Sequence, residues 1–438
     1  MNRIVKMMMM ASAPAKIYGV SWNHGSSPTL TRTDNAVGMV AAAGVDTNTV
    51  VNNFDQAEIY KEIVTITDAL GNSFVRIPKF YIEKTDDGST KATCRISKRP
   101  FSAACYSPLC FGTDGYAYYG KYPAGKTGSV LTSVSGVYPY VNDTIVNMRT
   151  FAKNNGAGYQ QLDIHAVDML QVLFTVEFAT LNSQSIMNGW VSGTYAGTNL
   201  VTVAQTTSNS IIVANAAAAL FAVGQPIGCG TALNENQRFY GRNITSIDLY
   251  DVSNKAISFD GAAVTTAVGD VLYNIGWKSG ACDRIVANSG GITSLSSGLQ
   301  PFMYRGIENL WGNVYHFVDG INLQANQAWV CSTPASYASN LFASPYVQLS
   351  YANIATSGYL EAMNYDANNP YAQFPKTVGG GASTYYSDYY YQNTGNLIAL
   401  LGGSWYRGAI AGLWCWNLSN SSAHTDISIA ARLLYKTL

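Results

Sequence analysis

Hydrophobic and polar residues alternate most regularly in the first quarter of the chain, which predicts paired β-strands there. Residues 63–67 and 74–77 are separated by the turn-forming residues 70–72 and predict a β-hairpin. A second alternating run at 80–84, a turn at 86–88 and a return run at 93–96 predict another pair of strands. Residues 100–140 are rich in Gly, Pro and Tyr and are interpreted as ordered loop.

One segment has helical rather than strand periodicity. Between residues 162 and 181 the apolar residues recur at steps of three and four, which predicts one amphipathic helix. Glu177 lies on the apolar stripe of this helix. A buried carboxylate needs a partner, so we expect Glu177 to be a structural anchor paired with Arg305 or Arg432 rather than a catalytic acid.

The hydrophobic pattern divides the chain into four parts. Residues 1–54 have weak periodicity and predict an irregular or short-stranded N-terminal arm that docks on another part of the assembly. Residues 186–285 hold short β-rich runs at even spacing, which predict a small β-barrel or sandwich inserted into its surroundings. The flanking ranges 55–185 and 286–438 are then two parts of one domain.

The charge composition excludes some partners and favours others. Only 12% of the 438 residues are charged, and 26 basic residues balance 26 acidic ones, so no net field would attract nucleic acid or an anionic membrane. The chain also holds 30 Tyr and 40 Gly. Such a composition predicts extensive β and loop structure, with much of the surface covered by other subunits.

Cysteine and histidine residues give no metal or cofactor site. The seven Cys residues are scattered with no C-x-x-C pair, and the four His residues do not cluster with them. We therefore expect free buried thiols, a reducing cytoplasm during synthesis, and neither metal nor cofactor. No compact acidic loop indicates calcium. The Met-rich start resembles a signal peptide, but its apolar core is short and we expect it to be retained.

The last 40 residues combine large aromatics with Gly, Ser and Asn, the composition of a recognition surface. Trp414 and Trp416 would face the same way in an extended segment, with Leu413 on the opposite side. Arg407 is either a solvated charge or a ligand contact, and contact is favoured because Arg and aromatics dominate binding hot spots. His424 and Asp426 alternate like a strand, and surface display is favoured over an acid–base pair because no nucleophile is near.

A second aromatic group lies between residues 385 and 391, on a predicted loop. Its members Tyr385, Tyr386, Tyr389 and Tyr390 would either stack on a glycan or form a subunit interface, since Tyr is enriched in both.

Three segments, taken in order, resemble the C-type-lectin-like fold of the formylglycine-generating superfamily. Residues 176–179 (VEFA) resemble that family's helix end, residues 310–317 (LWGNVYHF) its Gly-Asn-Val strand, and residues 402–405 (GGSW) with 429–432 (IAAR) its closing motif. The resemblance implies an α+β, C-type-lectin-like fold with an inserted all-β domain. It also implies structural roles for Glu177, Trp311, Asn313, Trp405 and Arg432.

The same resemblance favours binding over catalysis. Enzymes of the superfamily that form formylglycine carry a close cysteine pair, whereas Cys415 stands alone, and the iron-dependent relatives need clustered His ligands. The C-terminal segment is similar to retroelement-diversified phage tropism determinants, and residues 72–81 look like the N-terminal part of phage structural proteins bearing such domains. The ligand-binding positions implied are Tyr406, Arg407, Ile410, Leu413, Trp414, Trp416, His424 and Asp426.

These observations predict a non-enzymatic phage virion protein. The expected role is a tail-tip or fibre receptor-binding protein that attaches to a host-surface glycan or protein as a homotrimer, assembled in the bacterial cytoplasm. Its N-terminal arm would contact other virion proteins. The alternatives are a capsid decoration or head-fibre protein of the same fold, and a formylglycine-generating oxidase using Cys415.

Overall fold

The computed structural model describes residues 15–87, 91–292 and 300–438. Strands make up 39% of the chain and helices 11%, and one sheet curls into a half-barrel. The predicted α+β lectin-like fold is therefore wrong, because the protein is mainly β. Segments interpreted as aromatic or polar loops form much of the additional sheet.

Within the described residues the helices are α1 (Ile145–Lys153), α2 (Ile164–Phe178) and the short α3 (Asn215–Ala218). The first group of strands is β1 (Ile17–Asn23), β2 (Thr31–Asp34), β3 (Gly44–Val45), β4 (Val64–Thr67), β5 (Ser73–Pro78), β6 (Tyr81–Asp86), β7 (Lys91–Ser97), β8 (Tyr116–Gly120), β9 (Gly125–Thr127) and β10 (Val130–Thr132). The second group is β11 (Tyr159–Gln161), β12 (Val201–Val203), β13 (Gln205–Ser208), β14 (Ser210–Ala214), β15 (Pro226–Ala232), β16 (Glu235–Leu249), β17 (Asn254–Phe259), β18 (Val264–Thr266) and β19 (Val271–Asn274). The third group is β20 (Gly290–Gly291), β21 (Phe302–Tyr304), β22 (Ile307–Glu308), β23 (Tyr315–Gln324), β24 (Gln327–Val330), β25 (Val347–Ala352), β26 (Gly358–Met363), β27 (Pro375–Val378), β28 (Tyr389–Gln392), β29 (Asn396–Leu401), β30 (Trp416–Asn420), β31 (Ile429–Ala430) and β32 (Leu433–Tyr435).

The described residues form five sheets of four or more strands. Their strand orders are β2-β1-β7-β6, β11-β32-β8-β5-β4, β12-β14-β17-β16-β15-β19, β22-β21-β20-β3, and β25-β24-β23-β29-β30-β28-β26-β27 with β31 paired to β23. The predicted hairpin at 63–77 is confirmed as β4 and β5, in antiparallel register from Val64 opposite Arg76 to Thr67 opposite Ser73. The strand pair at 80–96 is confirmed as β6 and β7, although residues 88–90 of its turn lie outside the described residues.

Helix α2 is the central helix of the main core, and its prediction is confirmed with ends at 164 and 178. Asp163 caps its start by accepting a hydrogen bond from the backbone N–H of Ala166, and Ala179 ends it in the left-handed conformation at φ 51°. Every residue of α2 is buried, because sheets and loops cover all of its sides rather than one stripe.

The anchor role of Glu177 is confirmed with Arg305 as its partner. Glu177 is fully buried and accepts from the Arg305 guanidinium at 2.6–3.1 Å, and its carboxylate also accepts from the Tyr304 hydroxyl and the Asn52 amide. Arg305 reaches Asp55 as well, at 2.7 Å. The network ties α2 to the N-terminal segment and to the turn after β21.

The other residues with implied structural roles are buried. Trp311 packs against Phe302 at 4.0 Å between ring centroids, and Asn313 accepts from the Trp277 backbone N–H at 2.6 Å. Trp405 is fully buried, as expected for a core residue beneath the loop. Arg432, also fully buried, donates to the backbone carbonyls of residues 120, 121, 308 and 309.

The described part of the N-terminal segment forms short strands that pack on the chain's own core. Strand β1 lies between β2 and β7 in its sheet, and Tyr18 and Val20 belong to the main hydrophobic core. The backbone N–H of Leu30 donates to the carbonyl of Ala179 at the end of α2. The described residues of this segment are therefore integrated into the chain's own core, since their alternating apolar side chains find a partner sheet there.

Residues 201–274 form a six-stranded sheet of order β12-β14-β17-β16-β15-β19 within the predicted 186–285 region, and β13 and β18 pair as a separate two-stranded sheet. The six-stranded sheet packs around a separate apolar cluster that includes Ile211, Phe239 and Phe259. The two ends of this sheet meet, because the Gly269 backbone N–H donates to the Val201 carbonyl.

Candidate functional site

The C-terminal aromatic segment lies mostly inside the protein. Leu413, Trp414 and Trp416 are only 1%, 4% and 0% exposed, so their predicted display to a ligand is wrong in this structure. Trp414 packs against Phe174 of α2 and Trp416 against Phe374, with ring centroids 6.2 and 5.3 Å apart. The sequence could not reveal this, because β29 and β30 lie in the middle of a sheet whose other strands come from distant segments.

The other five predicted positions remain partly exposed. Ile410 ends a single 3-10 turn that follows Arg407. Asp426 is engaged locally, since its carboxylate accepts from the backbone N–H and the hydroxyl of Ser428 at 2.7 and 2.6 Å. The Ser428 hydroxyl lies 3.4 Å from that of Tyr406, which links Asp426 to Tyr406. The side-chain hydrogen bonds of this group connect Tyr406, Ser428 and Asp426.

Arg407 lies among tyrosine rings in what we call the Arg407 cluster: Arg407, Tyr315, Tyr391 and Tyr406. Its guanidinium carbon is 4.8 Å from the ring centroid of Tyr406, 5.3 Å from that of Tyr391 and 5.7 Å from that of Tyr315. These distances are those of cation–π contacts. Tyr315 forms the buried base, whereas the other three side chains are partly exposed.

Further rings extend the cluster along the surface. Tyr195, from the segment before β12, stacks on Tyr406 with centroids 5.1 Å apart. Tyr389 lies 4.7 Å from Tyr391 on the other side. Burial, with a smaller effect from the Asp426 charge, raises the pKa of Tyr195 and keeps its phenol protonated at neutral pH. The surface around Arg407 is therefore aromatic and neutral.

The guanidinium of Arg407 is poorly satisfied by the protein. It donates a long hydrogen bond to the Tyr391 hydroxyl at 3.5 Å, and its Nε is buried without a hydrogen-bond partner among the described residues. Among the described residues no carboxylate lies within 4.0 Å of it, whereas buried Arg149 and Arg305 each hold one. A half-buried guanidinium with unsatisfied N–H donors favours binding of an anion, because the oxygens of the anion can accept those hydrogen bonds.

The predicted aromatic patch at 385–391 divides among three places. Tyr390 is fully buried and donates to the Ile354 carbonyl, which corrects its assignment to the patch. Tyr389 borders the Arg407 cluster, because alternate residues of β28 face opposite sides. Tyr385 and Tyr386 line a separate cleft beside Trp22. That alternation alone could have identified Tyr391. Tyr315 lies in the 310–317 motif noted in the sequence, but nothing there placed its ring beside Arg407, and Tyr195 comes from a segment with no local signal.

Cys415, considered as the nucleophile of an oxidase, is buried, as are His165 and His316, whereas His424 and Asp426 are partly exposed. Burial, with a smaller effect from the nearby Asp388 carboxylate, raises the pKa of the Cys415 thiol to about 12. A thiol with such a pKa stays protonated and is a weak nucleophile. Burial lowers the pKa of His165 to about 3 and lowers that of His316 as well.

Within the described part of the chain, one group of three side chains has potential metal-ligating atoms within 4.8 Å of one another: His24, Asp86 and Asp87. His24 already contacts the Asp86 carboxylate at 3.2 Å. Exposed acidic groups of this kind are common without a metal ion, and the group by itself assigns no metal centre.

Comparison with known proteins adds no assignment to this geometry. In the described ranges, no helix combines the length and the hydrophobicity that a membrane crossing requires. No protein-family model matches the chain, and no curated protein matches it.

Proposed function

We propose that this protein is a phage virion protein that attaches to a bacterial surface, and that the Arg407 cluster contacts a carboxylate-bearing ligand there. The observation that carries the proposal is the half-buried Arg407 guanidinium, which has one weak hydrogen bond and an aromatic surround. The ligand class is an acidic surface saccharide. The carboxylate of the saccharide would pair with the Arg407 guanidinium, and the sugar ring would stack on Tyr406 or Tyr391.

The energetics of this arrangement favour a carboxylate. Its two oxygens can accept two parallel N–H donors from one guanidinium, a geometry that is stronger and more specific than a neutral hydrogen bond. Neighbouring rings restrict water around Arg407, which strengthens the charge interaction. An individual site of this size would still bind weakly, and several copies engaged together would supply the avidity needed for attachment.

A homotrimer in the virion provides those copies. The proposal is supported by the low charge content of 12%, which favours association over an isolated monomer. Size-exclusion chromatography with light scattering should give a mass three times the 47.1 kDa of one chain. A monomer at micromolar concentration would contradict this part of the proposal.

Adsorption to cells tests the attachment role. Fluorescently labelled protein should bind strains within a panel of bacteria, and Arg407→Gln should lose most of that binding in flow cytometry. Arg76→Gln is the matched control, because Arg76 also lies over a tyrosine ring, Tyr116, at 4.4 Å. Absence of binding to every strain, or equal loss in both variants, would count against the proposal.

A capsid decoration protein is the second candidate, favoured by exposed apolar residues. Leu249 and Val252, at the turn between β16 and β17, are 72% and 93% exposed and would suit contact with another subunit. Electron microscopy of virions with labelled protein separates the two, since a capsid location would favour decoration and a tail tip would favour attachment.

A further inference from the structure

A cleft separate from the Arg407 cluster lies between the β2-β1-β7-β6 sheet, helix α2 and the segment from 361 to 386. It consists of two adjoining cavities, of about 220 Å³ and about 50 Å³. They share the lining residues Trp22, Asp86, Leu181, Met363 and Tyr386. Three distant parts of the chain thus build one concave site, the usual form of a small-ligand pocket.

The charges that line the cleft cancel. Lys84 and Lys376 contribute two positive charges, and Asp86 and Glu361 contribute two negative ones. Asp86 contacts His24 at 3.2 Å, so its charge is already engaged within the protein. A cleft without net charge disfavours a strongly ionic ligand and admits a neutral one.

Lys84 is held in place from behind the cleft. Its ammonium contacts Asp168, a carboxylate of α2 that is only 1% exposed, and donates to the Gln373 amide oxygen at 3.2 Å. The Tyr106 hydroxyl donates to the other Asp168 oxygen at 2.8 Å. The Pro370 carbonyl accepts the third hydrogen bond, at 3.5 Å, so the Lys84 ammonium is satisfied by the protein and is not an ion-pairing site for a ligand.

Aromatic and amide groups make up the rest of the wall. The Tyr386 ring packs against Trp414 at 5.7 Å between centroids, which fixes its orientation, and Trp22 lines both cavities. Gln171 and Gln373 present amide groups, and Gln171 is oriented by its hydrogen bond to the Leu413 carbonyl at 3.0 Å. Aromatic ring faces pack well on C–H groups, and planar amides form hydrogen bonds with hydroxyl groups. Together they suit a ligand with one apolar face and several hydroxyl groups.

We infer that this cleft binds a neutral pyranose sugar. Trp22 and Tyr386 pack on the face of the sugar ring, and Gln171 and Gln373 hydrogen-bond its hydroxyl groups. This cleft and the Arg407 cluster share no residues. Sugar binding in the cleft can therefore be tested separately from binding of an acidic ligand at Arg407. Together the two sites would bind a neutral and an acidic sugar of the bacterial surface.

Saturation-transfer NMR on the full chain tests the inference with three probes: methyl glucoside, methyl galactoside and N-acetylglucosamine. We expect transfer to at least one probe, and affinity about tenfold weaker in Tyr386→Ala, as for loss of a stacking aromatic. Tyr250→Ala, a truncation of a tyrosine that is 48% exposed elsewhere, and Arg407→Gln should leave the affinity unchanged.

A second variant distinguishes loss of sugar binding from loss of folding. Thr377→Trp introduces a bulky ring at the partly exposed rim of the larger cavity and should block the same probe while the thermal melting curve stays cooperative. The inference is overturned if none of the three sugars binds the unmodified protein. It is equally overturned if a sugar binds Tyr386→Ala or Thr377→Trp as tightly as the unmodified chain.

Discussion

Glu177 and Arg305 show how one buried ion pair connects distant parts of this chain. Replacing Glu177 by Gln would leave the buried Arg305 guanidinium with only the partly exposed Asp55 as an ionic partner. Breaking a buried pair in this way costs about 3–5 kcal/mol of the free energy of unfolding. Urea unfolding of Glu177→Gln should show a loss of that order.

The same substitution at an exposed site is the control. Glu235 is exposed, and Glu235→Gln should change the free energy of unfolding by no more than about 0.5 kcal/mol. If the two variants unfold at the same urea concentration, Glu177 is not the anchor described above.

Glu308 is expected to make stability depend on pH. Burial raises the pKa of this carboxyl to about 7, the Asp283 charge adds to the rise, and backbone N–H donors from Cys282 and Gly280 oppose it. Because the folded protein holds this proton more tightly than the unfolded chain, the stabilisation is complete below about pH 4.5 and is lost as pH rises to about 7.

Glu308→Gln removes this titration while keeping an amide oxygen for the same N–H donors. The difference in free energy of unfolding between the unmodified protein and the variant should therefore shift by about 3 kcal/mol between pH 4.5 and pH 7. The unmodified protein should lose stability relative to the variant as pH rises. A constant difference across this range would show that the carboxyl titrates normally.

At the scale of elements, the end of helix α2 stores backbone strain. Ala179 adopts a φ of 51°, a left-handed conformation that glycine accepts more readily than alanine. Ala179→Gly should therefore raise the free energy of unfolding by about 0.5–1 kcal/mol.

The same substitution within a helix is the control. Ala152→Gly, in α1, should lower the free energy of unfolding by about 1 kcal/mol or more, because a helix disfavours glycine. Destabilisation by both changes in chemical denaturation would refute the assigned strain.

Elements with local signals could be predicted from the sequence, and those that depend on distant partners could not. The β4–β5 hairpin is specified by its alternation and its turn, and α2 by its apolar spacing. Strands β25 to β28 are polar and aromatic segments that pair across loops rather than tight turns, so these segments resembled loops. The same lack of non-local information made the fold class wrong, since sheet content was underestimated.

The candidate site follows the same division. Arg407 and Tyr406 are adjacent in sequence and were predicted together, whereas their neighbours Tyr195 and Tyr315 arrive through the tertiary fold. Burial of Trp414 was equally invisible, because α2 and the central sheet that cover it are formed by other segments. Sequence composition indicated a recognition surface but could not say which of its rings face solvent.

At the scale of the whole molecule, the proposed attachment role has two subsites. The Arg407 cluster would bind an acidic sugar, and the cleft at Trp22 and Tyr386 would bind a neutral one. Both are built where segments distant in sequence meet, so both depend on the intact β scaffold. Such a surface would recognise a repeating surface saccharide more selectively than either subsite alone, because both contacts must be satisfied at once.

Binding to paired glycans tests the central claim most directly. An array should carry carboxylate-bearing saccharides, each beside its methyl ester, and the unmodified protein, Arg407→Gln and Arg76→Gln should be compared on it. The account predicts that the unmodified protein and Arg76→Gln bind an acidic saccharide but not its ester, and that Arg407→Gln binds neither. Equal binding of acid and ester, or undiminished binding by Arg407→Gln, would contradict it.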